Sequence, residues 1–229
     1  MSVIIRHYFP YTGTAPHTTF TLDAFWTDPG SIIRLPLVTT KTSTAMTSWN
    51  PGLGAGLYAG KYQWVSPHQA PYDWSLLDSI KIQCRIADTA NDTTILLALS
   101  VRVMYGTDTV RGILYQGKGT AYTIDGTLRN INMGVPHVHV QNAFSMSQDD
   151  HIVAELGLYT DLNGSALMSF GDDSATDLGE NLTDTAAYNP WIEFTMGPYG
   201  PSPIGPAGGI ASGQALGTPK MRGTIQSEA

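Results

Sequence analysis

Two long segments of the chain alternate apolar and polar side chains, and this pattern restricts the possible folds more than any other feature. In SIKIQCRIA the apolar residues fall on every second position: Ile80, Ile82, Cys84 and Ile86. A period of two is typical of a strand with one buried face. We therefore predict a half-buried strand here, with Cys84 as a core residue.

The second alternating segment, TILLALSVRVMY, follows a polar turn at residues 88–93. Its members on one face are Ile95, Leu97, Leu99, Val101, Val103 and Tyr105. Two such segments separated by a short polar turn are typical of an antiparallel hairpin. We predict that these two strands pair with each other.

Further short strands are predicted along the chain. One alternating set is Phe20, Leu22, Ala24 and Trp26, and another is Ile152, Ala154, Leu156 and Leu158. SIIRLPLV also fits a strand, but Pro36 places it at an edge or a bulge. No segment has a capped helical stripe, and turn signals recur every 8–12 residues or so. We predict an all-β fold, a jelly-roll-like two-sheet antiparallel sandwich over residues 1–196.

Residues 197–229 differ in composition, with eight glycines and five prolines. Such a segment cannot bury enough apolar surface to offset its ordering entropy, so we predict an extended Gly/Pro-rich C-terminal arm or linker. Ile210, Leu216 and Ile225 are its candidate subunit-clamping residues. IASGQ is echoed by IQSEA fifteen residues later, which fits either the start of a second module or a short stub.

Composition excludes several classes of function. Charged residues make up 14% of the chain, and the net charge is −7 without a basic cluster, so we expect no nucleic-acid partner. No apolar run reaches the roughly 18 residues of a membrane span, so we expect no membrane insertion.

Cys84 is the single cysteine, so no intrachain disulfide can form. The first residues do not resemble a secretion signal, which predicts synthesis in the cytosol.

Motifs of catalysis and metal binding are weak. No nucleophile elbow, phosphate loop or zinc-protease motif is present, and Asp149, Asp150 and His151 fall where a turn is expected. His137 and His139 share a strand face and could supply two metal ligands, but a solvated polar face explains them better. We predict that the chain is not an enzyme and needs no metal or cofactor.

Two polar or aromatic groups leave alternatives open. Asp172, Asp173, Asp177 and Glu180 could hold calcium, although acidic loops between strands are common. The candidate aromatic residues are Trp49, Tyr58, Trp64 and Trp74. They would form either a sugar-stacking platform or packing at a core or subunit interface.

Several motifs resemble a family of bacteriophage virion structural proteins. Between Leu77 and Phe194 the chain contains, in the family's order, LLDSIKIQCRI, TLRNINM, FSMSQDDHIVAELGLYT, SFGDDSATDL and NPWIEF. The arm resembles I-A-S-x-E-A-x-G-x-P repeats that follow such domains. The chain departs from the family at Asp149, where glycine is usual, and at Gln214, where glutamate is usual. These motifs are structural, so no catalytic residue carries over.

The resemblance implies a structural component of a bacteriophage particle, in the tail, baseplate or fibre, which assembles in the host cytoplasm. It would bind other virion subunits and also the host surface. A capsid decoration protein is the alternative within this class, and a carbohydrate-binding module is the alternative outside it. Because its charge is low, we also predict a homo-oligomer, with a trimer favoured.

Overall fold

The computed structural model consists of strands and connecting segments, without a helix among the residues it describes. The described residues are 3–27, 32–41, 47–49, 55–67, 74–88, 93–124, 129–133, 138–139, 144–147, 149–160, 166–170, 176–177, 179 and 189–198. The strands are β1 (Val3–Tyr8), β2 (Ile33–Pro36), β3 (Thr47–Trp49), β4 (Leu57–Val65), β5 (Trp74–Asp88), β6 (Thr93–Tyr105), β7 (Thr109–Ile124), β8 (Arg129–Asn132), β9 (Val138–His139), β10 (Phe144–Met146), β11 (Asp150–Thr160), β12 (Ala166–Phe170) and β13 (Trp191–Pro198).

These strands form two sheets that pack face to face. The first sheet has the order β1-β13-β5-β12-β3, with β8, β9 and β10 paired to β5, and the second has the order β2-β4-β11-β6-β7. All pairings are antiparallel except that of β2 with β4. Strands β1, β13, β5 and β8 face β4, β11, β6 and β7, which is the strand arrangement of a jelly roll. The predicted all-β jelly-roll sandwich is confirmed.

The core lies between the two sheets and uses the alternating side chains that the sequence indicates. Its members on β5, β6 and β11 include Ile80, Ile82, Cys84, Ile86, Ile95, Leu97, Leu99, Val101, Val103, Ile152, Ala154, Leu156 and Leu158. Cys84 is fully buried, as predicted, and burial raises the pKa of its thiol. Tyr105, at the end of its strand, is instead exposed.

The predicted hairpin between β5 and β6 is wrong, although both strands exist. β5 belongs to the first sheet, whereas β6 lies in the second, between β11 and β7. The chain therefore crosses from one sheet to the other between them. Alternation specifies which face of a strand is buried, but it carries no information about which strand lies beside it.

The prediction that β5 is half-buried also fails, and β6 shows the same burial on both faces. On β5, Gln83 and Arg85 face away from the core and are nevertheless buried, and on β6 the same holds for Ser100 and Arg102. The outer face of each sheet, meaning the face turned away from the sandwich core, is thus covered at these positions.

The predicted strand containing Phe20 and Trp26 is not formed. Residues 17–27 are irregular apart from a turn, and their buried members, Phe20, Asp23 and Trp26, recur every third position. The segment lies across the second sheet and does not pair with it, so its backbone does not need to be extended. Pro36 does end an edge strand, as predicted.

Strand β13 continues to Pro198, two residues beyond the predicted end of the domain at residue 196. A first compact unit covers Met1–Tyr199. The arm, including Ile210, Leu216 and Ile225, lies outside the described residues, so both the boundary and the arm stay predictions. Within the described residues, no helix is long and apolar enough to span a membrane.

Candidate functional site

The most elaborate polar arrangement lies under the segment that connects β1 to β2. We call residues 9–27 the strap. Ala15 and Phe20 of the strap form a small second core with Val65, Met104 and Val153, which point outward from the second sheet. The strap therefore covers part of the outer face of β4, β11 and β6.

Glu155, on the outer face of β11, is the centre of this arrangement. Its carboxylate accepts hydrogen bonds from the backbone N–H of Asp23 at 3.1 Å and from Trp26 Nε1 at 2.7 Å. It also accepts one from Gln63 Nε2 at 2.8 Å and forms an ion pair with Arg102. One buried carboxylate thus joins the strap to two strands of the sheet.

Arg102 is 4% exposed and lies between two carboxylates. Besides Glu155, it approaches Asp23 Oδ2, at 3.6 Å from its Nε, and it donates a hydrogen bond to the carbonyl of Thr21 at 2.8 Å. Burial raises the pKa of Glu155, although the charge of Arg102 and the hydrogen bonds from Gln63 and Trp26 lower it in part.

Trp26 lies against a pair of glycines. Gly60 of β4 and Gly157 of β11 are directly opposite each other. A Cβ atom on Gly60 would lie 2.6 Å from the Trp26 ring, and one on Gly157 would also lie 2.6 Å from it. Only glycine leaves room for the indole at these positions, so the pair forms a slot for one ring.

This arrangement can hold the strap, but it offers no room for a reactant. Glu155 is fully buried, and its oxygens are occupied by hydrogen bonds from the chain itself.

Asp150 and His151, which resembled part of a catalytic site in the sequence, do not form one either. Asp150 accepts hydrogen bonds from the Ser147 backbone and from Arg111, whereas His151 points to the other face of β11 and bonds the Ser66 carbonyl through Nδ1 at 2.6 Å.

A second charged cluster lies on the outer face of the first sheet. Arg6 bonds Glu193 at 2.7 Å and Asp177 at 2.9 Å, and Lys41 bonds Asp177 at 2.9 Å. Burial alone would raise the pKa of Asp177, but the hydrogen bonds and charges of Lys41 and Arg6 hold it below its usual value. This carboxylate, one of the four acidic side chains for which calcium binding was left open, is thus paired with two cations.

The other three of these acidic residues, Asp172, Asp173 and Glu180, lie outside the described residues, as does His137. His139 is on β9, but its side chain is not among those described. Across the described ranges, no group of three or more His, Cys, Asp or Glu side chains is arranged to hold a metal ion.

The four candidate aromatics do not share one environment. Trp64 is fully buried, packs against Phe9, and donates from Nε1 to the Pro10 carbonyl at 3.0 Å, so it is a core residue and not part of an exposed platform. Tyr58 is half-buried on the outer face of the second sheet. Trp49 and Trp74 lie on β3 and β5, and their side chains are outside the described set.

Tyr58 belongs instead to a different aromatic group, which we call the aromatic cluster. Its ring contacts Phe25 of the strap at 4.3 Å and Tyr159 of β11 at 4.7 Å between centroids. The Lys118 ammonium lies 3.5 Å from the centre of the Tyr159 ring, within the range of a cation–π interaction.

Sequence reasoning missed the residues that hold the strap, although a signal for two of them exists. Arg102 and Glu155 are lone charges inside otherwise apolar strands. A charged side chain in such a position is usually paired when it is buried. The glycine slot has no comparable signal, because Gly60 and Gly157 are 97 positions apart and meet only through strand pairing.

Several large apolar side chains are exposed in the described part of the molecule. They include Ile4 on β1, 63% exposed, and Ile113 and Val110 on β7, 54% and 47% exposed. Ile4 belongs to the first sheet, whereas Ile113 and Val110 belong to the second.

Comparison with known proteins gives only distant structural matches. No protein-family model matches the chain, and no curated protein sequence matches it. One solved structure, of infectious bursal disease virus Gt strain, matches with TM-score 0.32 and 9% identity over 82% of this chain and 45% of that one. The Gx strain of that virus gives TM-score 0.26, 8% identity, and coverage of 85% and 42%.

A CocE/NonD family hydrolase from Staphylococcus aureus gives TM-score 0.29 at 8% identity, over 85% of this chain and 34% of that one. The chain spans less than half the length of each of these three structures.

Proposed function

We propose that this chain is a non-catalytic structural subunit of a bacteriophage particle. We place it in the tail, baseplate or fibre, where it binds other virion subunits. The observation that carries the proposal is that both described charged clusters hold chain segments against the sheets. The cluster at Glu155 fixes the strap, and the cluster at Asp177 joins its loop to β1.

The exposed apolar side chains support the same function. Ile4, Val110 and Ile113 project from strands of a rigid sandwich, where they can be buried by neighbouring subunits. The sequence motifs between Leu77 and Phe194 add the resemblance to virion proteins. In this proposal the chain is synthesised in the host cytoplasm and is found in the finished particle, as a homo-oligomer with a trimer favoured.

Imaging of purified particles tests this function. Particles would be labelled with gold-conjugated antibodies against the full chain, and the copy number would be measured by quantitative mass spectrometry. Label on the tail supports the proposal, and label distributed over the head supports the alternative of a capsid decoration protein. Absence of the chain from purified particles would refute both.

Light scattering of the purified chain tests whether it is a trimer. A monomer at tens of micromolar would contradict the predicted homo-oligomer.

The aromatic cluster favours a second candidate function, binding of a glycan on the host surface. Phe25, Tyr58 and Tyr159 are half-buried, so each residue is partly open to solvent, and Lys118 supplies a polar group beside Tyr159. A glycan array tests this directly. Binding that is lost in Tyr159→Ala but retained in Tyr11→Ala, a change of an exposed tyrosine elsewhere, would support it, and an array without signal would reject it.

A further inference from the structure

The strands at the edges of the two sheets differ in how well they are protected against pairing with a strand of another chain. At one end of the second sheet, β7 has three register shifts relative to β6. Each shift places an additional residue on β7. Bulges and charges are the usual features that prevent an edge from pairing with another chain.

Most other described edges are short. β2 has four residues and ends at Pro36, which has no N–H to donate. β3 has three residues, and β8, β9 and β10 have four, two and three. Very short strands and proline also protect an edge.

β1 has none of these features. Its six residues pair with β13 without a register shift. Its one cation, Arg6, is engaged by Glu193 and Asp177 and so does not stand as a free charge at the edge. Ile4, in the middle of the exposed part, is 63% exposed.

The direction of the backbone groups on β1 follows from a single bridge. Tyr8 exchanges two backbone hydrogen bonds with Val38, of 2.8 and 3.5 Å, on the side away from β13. Because backbone groups alternate in direction along a strand, those of Ile4 and Arg6 also point to this outer edge. Among the described residues none pairs with them there.

The last described residues of the chain belong to the strand next to β1. β13, the neighbour of β1, places Met196 opposite Val3 and ends at Pro198. The 31 residues that follow can extend over roughly 100 Å, enough to reach another molecule. Lys220, Arg222 and Glu228 give them a net charge of +1, which leaves −8 on residues 1–198.

We propose that the outer edge of β1 is the docking site for residues 207–229 of a neighbouring copy of this chain. The arm adds a strand beside Ile4 and Arg6, and its apolar residues, with Ile210 first, cover the Ile4 side chain. Backbone hydrogen bonds provide affinity in this kind of strand addition, and side-chain contacts provide specificity. The inference rests on the proposed function, because the particle is what brings copies together.

Disulfide trapping between two full-length variants tests the proposal. Ile4→Cys is mixed with a size-tagged Ile210→Cys chain under mild oxidation, while native Cys84 is buried and does not react. Ile113→Cys serves as the matched control, since it is an isoleucine of similar exposure on the protected β7 edge. Docking raises the local concentration of the arm, so we expect at least about tenfold more heterodimer with Ile4→Cys than with the control.

Three results would overturn the inference. These are equal yields at Ile4 and Ile113, preferential coupling of Ile4→Cys to itself, or intrachain coupling that dominates in a dilute Ile4→Cys/Ile210→Cys double variant. Amide exchange of the unmodified chain gives an independent measurement. The amides of Ile4 and Arg6 should exchange more slowly as protein concentration rises, and unchanged rates would count against docking.

Failure of the proposed function is distinguishable from failure of this inference. Trapping uses the purified chain alone, so a positive result stands even if the chain is absent from particles. Conversely, a chain found in particles that gives no Ile4 crosslink has a structural function, but its arm binds elsewhere.

Discussion

The two faces of the second sheet are both buried, but by different kinds of contact. The inner face is a continuous apolar layer in which Leu99 and Leu156 are fully buried against the first sheet. The outer face is covered by the strap through a buried ion pair, hydrogen bonds and an indole in a glycine slot. The inner contacts tolerate many apolar side chains, whereas each outer contact depends on one specific partner.

The sharpest test of this contrast uses adjacent residues on opposite faces of β11. Glu155→Ala removes one of the two carboxylates beside the buried Arg102 charge and leaves the donors of Trp26 and Gln63 without their acceptor, so we expect a loss of about 3–5 kcal/mol in the free energy of unfolding. Leu156→Ala should cost about 2–5 kcal/mol through the cavity it creates. Urea denaturation measures both.

The two faces should differ in whether a second substitution can restore the stability lost in the first. Replacing Glu155 and Arg102 together with leucine should recover part of the loss, since apolar residues can substitute for a buried ion pair but cannot accept the hydrogen bonds that Trp26 and Gln63 donate to Glu155. No second change of comparable simplicity restores Leu156→Ala. If the double leucine variant is no more stable than Glu155→Ala, the ion pair is not what makes the outer face costly to disrupt.

The glycine slot provides the next largest expected effect. In Gly60→Ala the three atoms nearest to the new methyl group all belong to the Trp26 ring, so we expect overpacking to cost about 1–3 kcal/mol. In a Trp26→Ala background the same change should cost almost nothing, because the obstructing ring is gone. A double-mutant cycle in thermal unfolding measures this coupling, and additive effects would show that the slot does not hold the indole.

The pH dependence of stability should differ between wild type and Glu155→Gln. The pKa of Glu155 is raised in the folded state, so its contribution to stability is complete below the unfolded pKa. It is lost as pH rises through the folded pKa. The stability of wild type relative to Glu155→Gln should therefore fall as pH increases from about 4. Urea titrations at several pH values check this, and a difference that rises with pH would contradict it.

The charged cluster on the first sheet should show the smallest effect and the opposite sign. The pKa of Asp177 is lowered in the folded state, so its contribution is present above the unfolded pKa and is lost as pH falls through the folded pKa. The side chains are partly exposed, and Asp177→Asn should cost about 1 kcal/mol or less at neutral pH. Asp149→Asn, at an exposed turn, is the control and should change the stability less.

The sequence predicted the inner face far better than the outer one. Ile152, Ala154, Leu156 and Leu158 were expected inward and are fully buried, because a period of two directly reports which side chains share a face. The same period could not report that β5 and β6 lie in different sheets. Strand pairing depends on contacts between distant segments, and a local pattern does not contain them.

The contacts on the outer face of the second sheet were not predicted, for a related reason. Phe20, Asp23 and Trp26 are buried every third residue in a segment without regular structure, so neither strand nor helix periodicity describes them. Trp64 was a candidate for an exposed aromatic platform but lies in the core, since composition alone does not distinguish an aromatic that packs inward from one that binds a partner.

The placement of the strap also constrains the order in which the domain can be completed during synthesis. Within this domain the strap and β1 are synthesised before their partners, because the strap is held by Glu155 and β1 by strand β13, Trp191–Pro198. At translation rates of about 5–20 residues per second, β1 waits roughly 10–40 seconds for its neighbour. Phe20 and Trp26 lack a complete site until β11, with Val153, Glu155 and Gly157, has been synthesised.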